Sequence, residues 1–459
     1  MSANLLFWWD ELREKMWFIP SVYCVAAIVV AFVVLSIDRE FEIGSDAFLP
    51  FLQTTGGSGR IVLGSLIGAL VTVLGLVFSL TMLSVSQTAS QYGPRLIRSV
   101  FDSNIAQNTI GFILSTVVFC MIVLRSIRDL KDSGSLFTPH LSILTAELAS
   151  AACIFVLLAF TNHVTRCMRA ETLIQSIYND LIRAAEDLFP AVAEIRDADG
   201  IELSNVSAWS DLVNAKSLTS GQSGYLQAIQ LQGVVACASE RGHRLEISHR
   251  AGDFIHAGEV IARVQLSQDE AEGTKDSLEN YQSFFLIGTV RTLRQDIEAG
   301  VLELVEAGVR ALSPGVNDPI TAINVIDYVS SFMRDLAGRQ WPNPILVDGD
   351  GIPVLRVNVT DFRGVLNAGF DQLRQYAGNS VAVNCRLLEG LAAIAISSTQ
   401  PEDRAAIKRQ ADMIVRAADR NIFEPEDKRD IRARAEQVDK AIRRSEHQST
   451  QDTTEREQS

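Results

Sequence analysis

The sequence predicts an α-helical membrane protein with four transmembrane helices and a mixed α+β soluble C-terminal domain. Long apolar segments are concentrated in the first third of the chain, where a helix needs about 20 apolar residues to cross roughly 30 Å of hydrocarbon. The remainder of the chain alternates between helical and strand-like patterns and ends in a charged tail. Membrane insertion is therefore expected to come from the N-terminal part alone.

Four segments are long and apolar enough to span a bilayer. Three of them contain no Asp, Glu, Lys or Arg, and the fourth contains Glu147 as its single charged residue. Each is longer than the apolar core of a signal peptide. The predicted spans are residues 17–37, 61–86, 105–124 and 141–163. Together they define a predicted transmembrane domain over residues 1–165.

The segment 166–222 is predicted to be an amphipathic helix followed by a linker. Apolar residues recur at spacings of three and four in "RCMRAETLIQSIYNDLIRAAEDLF", which is typical of a helix with one buried face. This helix should end near Pro190, and the polar stretch up to about Gly224 indicates a linker or loop.

Residues 223–423 are predicted to form the soluble α+β domain. A strand and a helix are expected in "GYLQAIQLQGVVACASERG", and "HRLEISHRAGDFIHAGEVIARVQL" predicts a small β-unit around two glycine turns. The pattern from Phe284 to about Ala337 is helical except for one break. A turn over 341–351 precedes a strand at 352–362, and further helices follow. The tail 424–459 is charged and poor in large apolar residues, so we expect it to be partly disordered.

Composition argues against several function classes. A net charge of −14 disfavours a nucleic-acid partner, because phosphates would be repelled. The six cysteines form neither a disulfide framework nor a zinc pattern, and the six histidines show no metal-ligand spacing. Neither a P-loop nor a G-x-S-x-G motif is present. We therefore expect no catalytic residues, cofactor or metal, and an enzyme ranks last among the function classes.

The basic residues near the predicted membrane boundaries bear on orientation. With the N-terminus inside, six of them lie on the inner side: Arg13, Lys15, Arg95, Arg98, Arg166 and Arg169. Five lie outside: Arg39, Arg60, Arg125, Arg128 and Lys131. The excess favours a cytoplasmic soluble domain under the positive-inside rule, and the scattered cysteines are compatible with a reducing compartment.

The second predicted membrane helix carries a stripe of small, weakly polar residues at helical spacing. Its members are Gly64, Gly68, Thr72, Gly75, Ser79, Ser86 and Ser90. Small residues allow close packing of membrane helices. Alternatively, the hydroxyls could line a path for an ion or solute in an oligomer. The residue types suit either role.

Three charged residues lie at the edges of the membrane segments. Arg95 and Arg98 follow the second segment and are typical of contacts with lipid headgroups; a charged gate at a pore mouth is the other interpretation. Glu147 is a functional candidate because a buried charge in the membrane is costly, although a position near the headgroups would let it reach water.

The motif "ALSPGVNDPITA" (311–322) interrupts a long helical pattern and predicts an elbow between two helices. Gly315 could take the left-handed geometry that ends the first helix, and Asp318-Pro319 has the N-cap and first-turn proline of the second. This explanation requires no ligand.

The alternative is a polar pocket at this elbow that holds a small ligand or cation. Upstream charged residues could pair with the elbow or be solvated. The candidate site comprises Arg310, Ser313, Asn317, Asp318 and Thr321, with Arg291, Arg294 and Asp296 from upstream. The free N–H groups of a helix start favour anions whereas Asp318 favours cations, so the sign of the ligand stays open.

Several blocks of this sequence resemble the bacterial membrane-protein family known as domain of unknown function 2254. They are "LGLVFSLTMLSVSQTASQYGPRLIR", "SGYLQAI", "GDFIHAGEVIARV", "RTLRQDIEAGVLELVEAGVRALSPGVNDPITAI" and "FDQLRQYA". The resemblance implies four membrane helices, a soluble C-terminal part and a bacterial inner membrane. It assigns no reaction to any residue.

Two functions remain from the sequence. One is a homo-oligomeric channel or transporter in the lipid bilayer, lined in part by the second helix and regulated by the soluble domain. The other is a membrane-anchored ligand-binding or scaffold protein whose helices only anchor it, which predicts that the stripe is buried between helices of one subunit.

Overall fold

The structure, a computed structural model, describes residues 17–41, 55–92, 104–127, 137–167, 169–189, 209, 211–267, 278, 280–339 and 341–457. The chain divides into two compact units, Met1–Leu173 and Ile174–Ser459. The first holds the apolar helices, and the second holds the remaining helices and both β-sheets.

Four helices of the first unit are long and apolar enough to cross a membrane, as predicted. They are α1 (Phe18–Phe41), α2 (Gly56–Tyr92), α3 (Asn104–Ser126) and α4 (His140–Cys167). In the apolar window of α3, 56% of the residues are buried, against 17% in α1 and α2 and 28% in α4. The helix α3 is therefore the centre of the unit and contacts each of the other three.

Close packing of α1 on α3 depends on Gly111. A Cβ atom there would lie 2.8 Å from the ring of Tyr23 and 3.2 Å from Cα of Pro20. At the edge of the unit, the guanidinium of Arg60 donates to the carbonyl of Ile127 (3.0 Å). These contacts join α3 to α1 by backbone approach and α2 to the end of α3 by a hydrogen bond.

Besides the helical residues 278 and 280–282, the second unit contains eight helices and eight strands within the described residues. The helices are α5 (Ala170–Leu188, part of this unit from Ile174), α6 (Leu231–Arg241), α7 (Ile297–Ala311), α8 (Pro319–Leu336), α9 (Phe362–Ala377), α10 (Val381–Ser397), α11 (Pro401–Asn421) and α12 (Pro425–Glu457). The strands are β1 (Lys216–Thr219), β2 (Gly224–Ile229), β3 (Arg244–Ile247), β4 (Phe254–Ile255), β5 (Val260–Gln265), β6 (Phe285–Gly288), β7 (Ile345–Val347) and β8 (Pro353–Arg356).

The strands form two sheets around one apolar core. The larger sheet has the order β1-β5-β3-β8-β7, with β3 and β8 parallel and the other pairs antiparallel; the smaller has the order β4-β2-β6. Buried side chains of both sheets and of α6 meet, among them Leu226, Val234, Leu245 and Ile261. The β-unit predicted around the two glycine turns is thus the middle of a larger β-structure.

Three strands lie where the sequence predicted something else. The predicted linker contains β1, the predicted helical stretch after Phe284 begins with β6, and the predicted turn over 341–351 contains β7. These strands are only three or four residues long. The partners of β1 and β6 are far away in the chain, whereas β7 pairs with the nearby β8. In strands this short, local alternation of apolar residues carries little information.

The helices α7 to α12 pack with their glycines at the contact points. A Cβ at Gly300 would lie 2.6 Å from Leu181 of α5, and one at Gly308 would lie 2.7 Å from Leu373 of α9. Leu181 is fully buried. The helix α7 is therefore held between α5, α8 and α9 at close backbone distance.

Residues 425–457 of the tail, which the sequence predicted to be partly disordered, form α12. This helix packs on α10 and α11 through Ile431, Val438 and Ala441, which are buried. The guanidinium of Arg404, itself buried, donates to the carbonyls of Ser398 (3.2 Å) and Thr399 (3.0 Å) at the end of α10. A few apolar residues at helical spacing are enough because α10 already offers an apolar surface.

We expect Gly390→Ala to destabilise the second unit by about 1–3 kcal/mol, because its Cβ would lie 2.1 Å from the Ser330 hydroxyl, between α8 and α10. That hydroxyl is buried without a hydrogen-bond partner in the described part of the chain. Adding Ser330→Ala should therefore restore part of the loss. Thermal unfolding of the purified protein measures both effects, with Gly315→Ala, which meets open space, as the control. Equal midpoints for Gly390→Ala and wild type would contradict this packing.

Candidate functional site

The elbow between α7 and α8 is a tight turn whose geometry depends on Asn317. Asn317 has φ 49°, in the left-handed region, where Asn is among the better tolerated residues other than glycine. The prediction that Gly315 supplies this geometry is wrong, since Gly315 is not among the glycines with positive φ. The turn is closed by N–H groups of Val316 and Asn317 that donate to the carbonyl of Ser313 (3.0 and 2.9 Å).

Asp318 is the N-cap of α8. Its carboxylate accepts hydrogen bonds from the N–H groups of Ile320 and Thr321 (both 3.1 Å) and from the Thr321 hydroxyl (2.6 Å). The hydroxyl bond is the main cause that lowers the pKa of Asp318, with the two backbone N–H groups adding to it. The sequence needs both Asn317 and Asp318 because one reverses the chain and the other caps the helix.

The remaining elbow residues also serve the turn. The hydroxyl of Ser313 donates to the carbonyl of Arg310 (2.6 Å). Val316 and Ile320 point outward, with exposures of 53% and 71%. The elbow thus presents an apolar tip to its surroundings, and its carboxylate is already engaged.

The upstream charged residues do not meet the elbow. Asp296 is the N-cap of α7, and its carboxylate accepts from the N–H of Ala299 (3.1 Å). The elbow lies at the other end of this helix of 15 residues, about 22 Å away at the rise of an α-helix. Of the two roles that the sequence left open for the upstream charged residues, pairing with the elbow is therefore excluded for Asp296.

Asp296 instead forms a buried ion pair with Arg291. Nε and Nη2 of Arg291 both lie 2.7 Å from one carboxylate oxygen, and the Asp296 side chain is 4% exposed. Burial raises the pKa of Asp296, and Arg291 partly offsets that rise. Gly252, with φ 96°, belongs to the turn that packs on this pair, since a Cβ there would lie 2.1 Å from the carboxylate.

A second ion pair lies beside the first and was missed from the sequence. Nη1 and Nη2 of Arg250 each lie 2.9 Å from an oxygen of Glu298, and the Thr360 hydroxyl donates to the same carboxylate (2.5 Å). Arg250 precedes Gly252 in the turn before β4, Glu298 is in the first turn of α7, and Thr360 precedes α9. The "AGD" motif predicted the turn next to Arg250. No residue near this turn in the sequence indicates that Glu298 is the partner of Arg250.

Next to these two pairs is a cavity of about 210 Å³. Nine apolar and five polar residues line it, contributed by six parts of the second unit. The lining comprises Leu188, Phe189, Ile229, Leu231, Arg250, Ala251, Gln295, Asp296, Ile297, Pro342, Val357, Asn358, Val359 and Thr360. Of the upstream candidates, Asp296 alone lines the cavity. Within the described residues, no three His, Cys, Asp or Glu side chains are grouped as a metal ion would require.

The stripe on α2 faces away from the helices of its own chain. Gly64, Gly68, Thr72, Gly75, Ser79 and Ser86 are exposed. A Cβ added at Gly64, Gly68 or Gly75 would meet nothing within 4 Å. Leu63, Leu70 and Val77, on the opposite side of α2, are buried. The stripe is therefore not buried between helices of one chain; Ser90 lies in α2, but its side chain is outside the described residues.

One of the three membrane-edge candidates lies within the described residues. Glu147 is exposed on α4, and Arg95 and Arg98 lie outside the described residues. Within the described part of the first unit, the buried carboxylate is that of Asp38, near the end of α1. It accepts from the N–H groups of Leu141 (3.0 Å) and Ser142 (2.9 Å) and from the Ser142 hydroxyl (2.6 Å), and so caps α4.

The comparisons with known proteins agree with the membrane helices. The family described as "Predicted membrane protein (DUF2254)" matches residues 13–393. An uncharacterized protein of Mycobacterium bovis and one of Mycobacterium tuberculosis are each 27% identical to this chain over 440 residues, which is 95% of this chain and 82% of the relative. No solved structure matches the chain.

We expect Asp318→Ala to destabilise the second unit by about 1–2 kcal/mol, because three donors lose their acceptor. Asp318→Ser, which retains an N-cap oxygen, should lose less. Because the pKa of Asp318 is lowered by folding, its contribution is present above the ordinary pKa of about 3.9 and is lost as the pH falls through the lower folded value. Thermal unfolding from pH 7 downward measures this. A gap between wild type and Asp318→Ala that widens on acidification would contradict the cap.

Proposed function

Because the chain belongs to the DUF2254 family of predicted membrane proteins, we propose that it assembles as a homo-oligomer in the lipid bilayer through the exposed stripe of α2. In this proposal the assembly forms a channel or transporter, and the soluble unit regulates it. The observation that carries the proposal is the exposure of the stripe on the side of α2 that faces away from its own chain.

The shape of this side of α2 favours another helix over lipid as its neighbour. Membrane helices associate where small residues let their backbones approach, since lipid chains are as apolar as leucine and give no hydrophobic drive. Gly64, Gly68 and Gly75 leave an open groove. Large apolar side chains such as Val71, Leu76 and Phe78 are exposed on either side of it and suit lipid or a partner helix.

The hydroxyls of the stripe are compatible with a water-lined path. Thr72 and Ser79 each donate to the carbonyl four residues earlier (both 2.9 Å), which satisfies the hydroxyl hydrogen within the helix. The oxygen lone pairs remain able to accept from water or from a partner, or to face a cation. These residues therefore combine close packing with polarity, as the wall of a narrow pore requires.

For orientation, we propose that the soluble unit is cytoplasmic and that the membrane is the bacterial inner membrane. The excess of basic residues on that side supports this. Two of the basic residues at the opposite edge are engaged in the protein itself: Arg60 donates to Ile127, and Arg39 lies 5.7 Å from the ring centre of Phe137. The cysteines Cys237 and Cys385 of the soluble unit are free, which suits a reducing compartment.

Reporter fusions at Ser459 test the orientation. We expect a fluorescent protein fused there to be bright and alkaline phosphatase to be inactive, because the first folds in the cytoplasm and the second needs export to form its disulfides. The same reporters placed after Phe41, on the other side of α1, serve as the control with the opposite expectation. Active phosphatase at Ser459 would place the soluble unit outside.

Ion flux through purified protein in liposomes tests the pore. We expect Ser79→Leu to abolish flux under voltage, tension or osmotic challenge, because a larger apolar side chain would obstruct the stripe. Phe78→Leu is the matched control, since Phe78 is an exposed neighbour outside the stripe and should leave flux unchanged. Folding is checked by the thermal unfolding midpoint of each variant.

Disulfide cross-linking separates assembly from conduction. In a background without native cysteines, Gly75→Cys should form cross-linked pairs in the bilayer, and Leu76→Cys should form fewer. Cross-links without flux would favour the alternative of a membrane-anchored ligand-binding or scaffold protein. If neither cross-links nor flux appear, the stripe does not mediate assembly and the proposal fails.

A further inference from the structure

The cavity beside the two ion pairs has features of a binding site independent of any pore. Six segments meet there: the end of α5, the link between β2 and α6, the turn at 250–251, the start of α7, Pro342 before β7 and the segment 357–360. Convergence of so many segments on one hollow is typical of ligand sites. A volume of about 210 Å³ is below the roughly 300–1,000 Å³ of pockets for drug-sized molecules.

The charged groups at the cavity are already neutralised in pairs. Arg250 is engaged by Glu298, and Asp296 by Arg291. The Gln295 amide is also committed: its oxygen accepts from the N–H of Ile229 (2.8 Å), and its NH₂ group donates to the carbonyl of Ile229 (3.0 Å). A charged ligand would have to break one of these pairs, whereas an uncharged one would not.

Asn358 differs from the other polar lining residues. It is exposed, and its amide lies 3.5 Å from the carbonyl of Ser248, at the limit of a hydrogen bond. Its side chain therefore keeps hydrogen-bonding capacity for a molecule that enters. The other walls, such as Phe189, Ile297 and Val359, offer apolar contact.

We propose that this cavity binds a small, uncharged, mainly apolar molecule of about ten non-hydrogen atoms with one hydroxyl or carbonyl group, since an apolar cavity of about 150 Å³ already accepts benzene. The apolar part lies against Phe189, Ile297 and Val359, and the polar group bonds to Asn358. The inference depends only on the cavity and holds whether the membrane helices conduct or only anchor.

Binding there would also fix the end of α5. Phe189 packs edge-on against Trp341, with ring centres 5.0 Å apart, and its carbonyl accepts from Arg339 (3.0 Å). A ligand against Phe189 adds apolar contact to this end of the helix. The helix α5 follows α4 directly in the chain, so an occupied cavity acts on the first element after the membrane.

Fluorine NMR on the full chain in lipid nanodiscs, titrated with para-fluorobenzyl alcohol, tests the proposal. We expect saturable binding with a dissociation constant on the order of 1 mM or below, beyond the partitioning seen in empty nanodiscs. The charged analogues para-fluorobenzoate and para-fluorobenzylammonium should bind at least about tenfold more weakly, because each must disrupt an ion pair.

Ala251 and Ala257 each precede a glycine in a turn, so substitutions at these two positions form a matched pair. Ala251 lines the cavity, while Ala257 stands in the second turn, exposed and outside the lining. We expect Ala251→Phe to fill the cavity and weaken binding at least about tenfold, and Ala257→Phe to leave it unchanged. Thermal unfolding identifies any variant that has not folded.

If Ala251→Phe does not fold, a substitution at the exposed residue Asn358 still tests the proposal. Asn358→Leu should weaken binding of the alcohol about fivefold, which corresponds to the loss of one hydrogen bond. It should leave the binding of para-fluorotoluene unchanged. Three results would each overturn the proposal: no saturable binding beyond empty nanodiscs, charged analogues that bind as tightly as the alcohol, or undiminished binding to folded Ala251→Phe.

Discussion

The second unit depends on the two carboxylates at the start of α7. Asp296 and Glu298 form ion pairs with arginines from outside the helix. Glu298 also accepts a hydrogen bond from a hydroxyl of the segment that leads into α9. The β-structure, through Arg250, and the helical part are thereby joined at one point. With the Asp296 side chain 4% exposed, loss of its arginine would leave a buried charge, a change that costs about 3–5 kcal/mol in proteins. The same point forms a wall of the cavity, so stability and any binding there share one set of residues.

Small residues have two different physical roles in this chain. In the second unit, Gly300, Gly308 and Gly390 lie where a neighbouring side chain would collide with any Cβ, so close packing accounts for them. On α2, Gly64, Gly68 and Gly75 face open space within the chain. Spacing along the sequence cannot distinguish these cases, because both follow the period of a helix. The difference lies in what is opposite, which is fixed only when the fold is known.

The sequence was informative where the determining forces are local. Four long apolar segments predicted the membrane helices, and Asp318-Pro319 predicted the start of α8. It failed where partners are distant. Arg250 and Glu298 are 48 positions apart, and no local pattern links them. The strands β1 and β6 are defined by distant neighbours in the sheets, and α12 is ordered by the surface of α10. The residue with the left-handed backbone conformation in the elbow was mispredicted for another reason. Gly315 and Asn317 are both residue types that tolerate this conformation, and in the structure Asn317 adopts it.

Asp38 has a consequence for how the membrane unit is made. Its carboxylate caps α4 across more than a hundred positions of chain, with hydrogen-bond partners 103 and 104 residues away. The first N–H groups of α4 therefore find their acceptor only in a helix that was synthesised three helices earlier. Until the last helix arrives, this carboxylate and those N–H groups must be satisfied by water or headgroups. Formation of the contact marks the completion of the bundle, and it makes the first helix a requirement for the correct seating of the last.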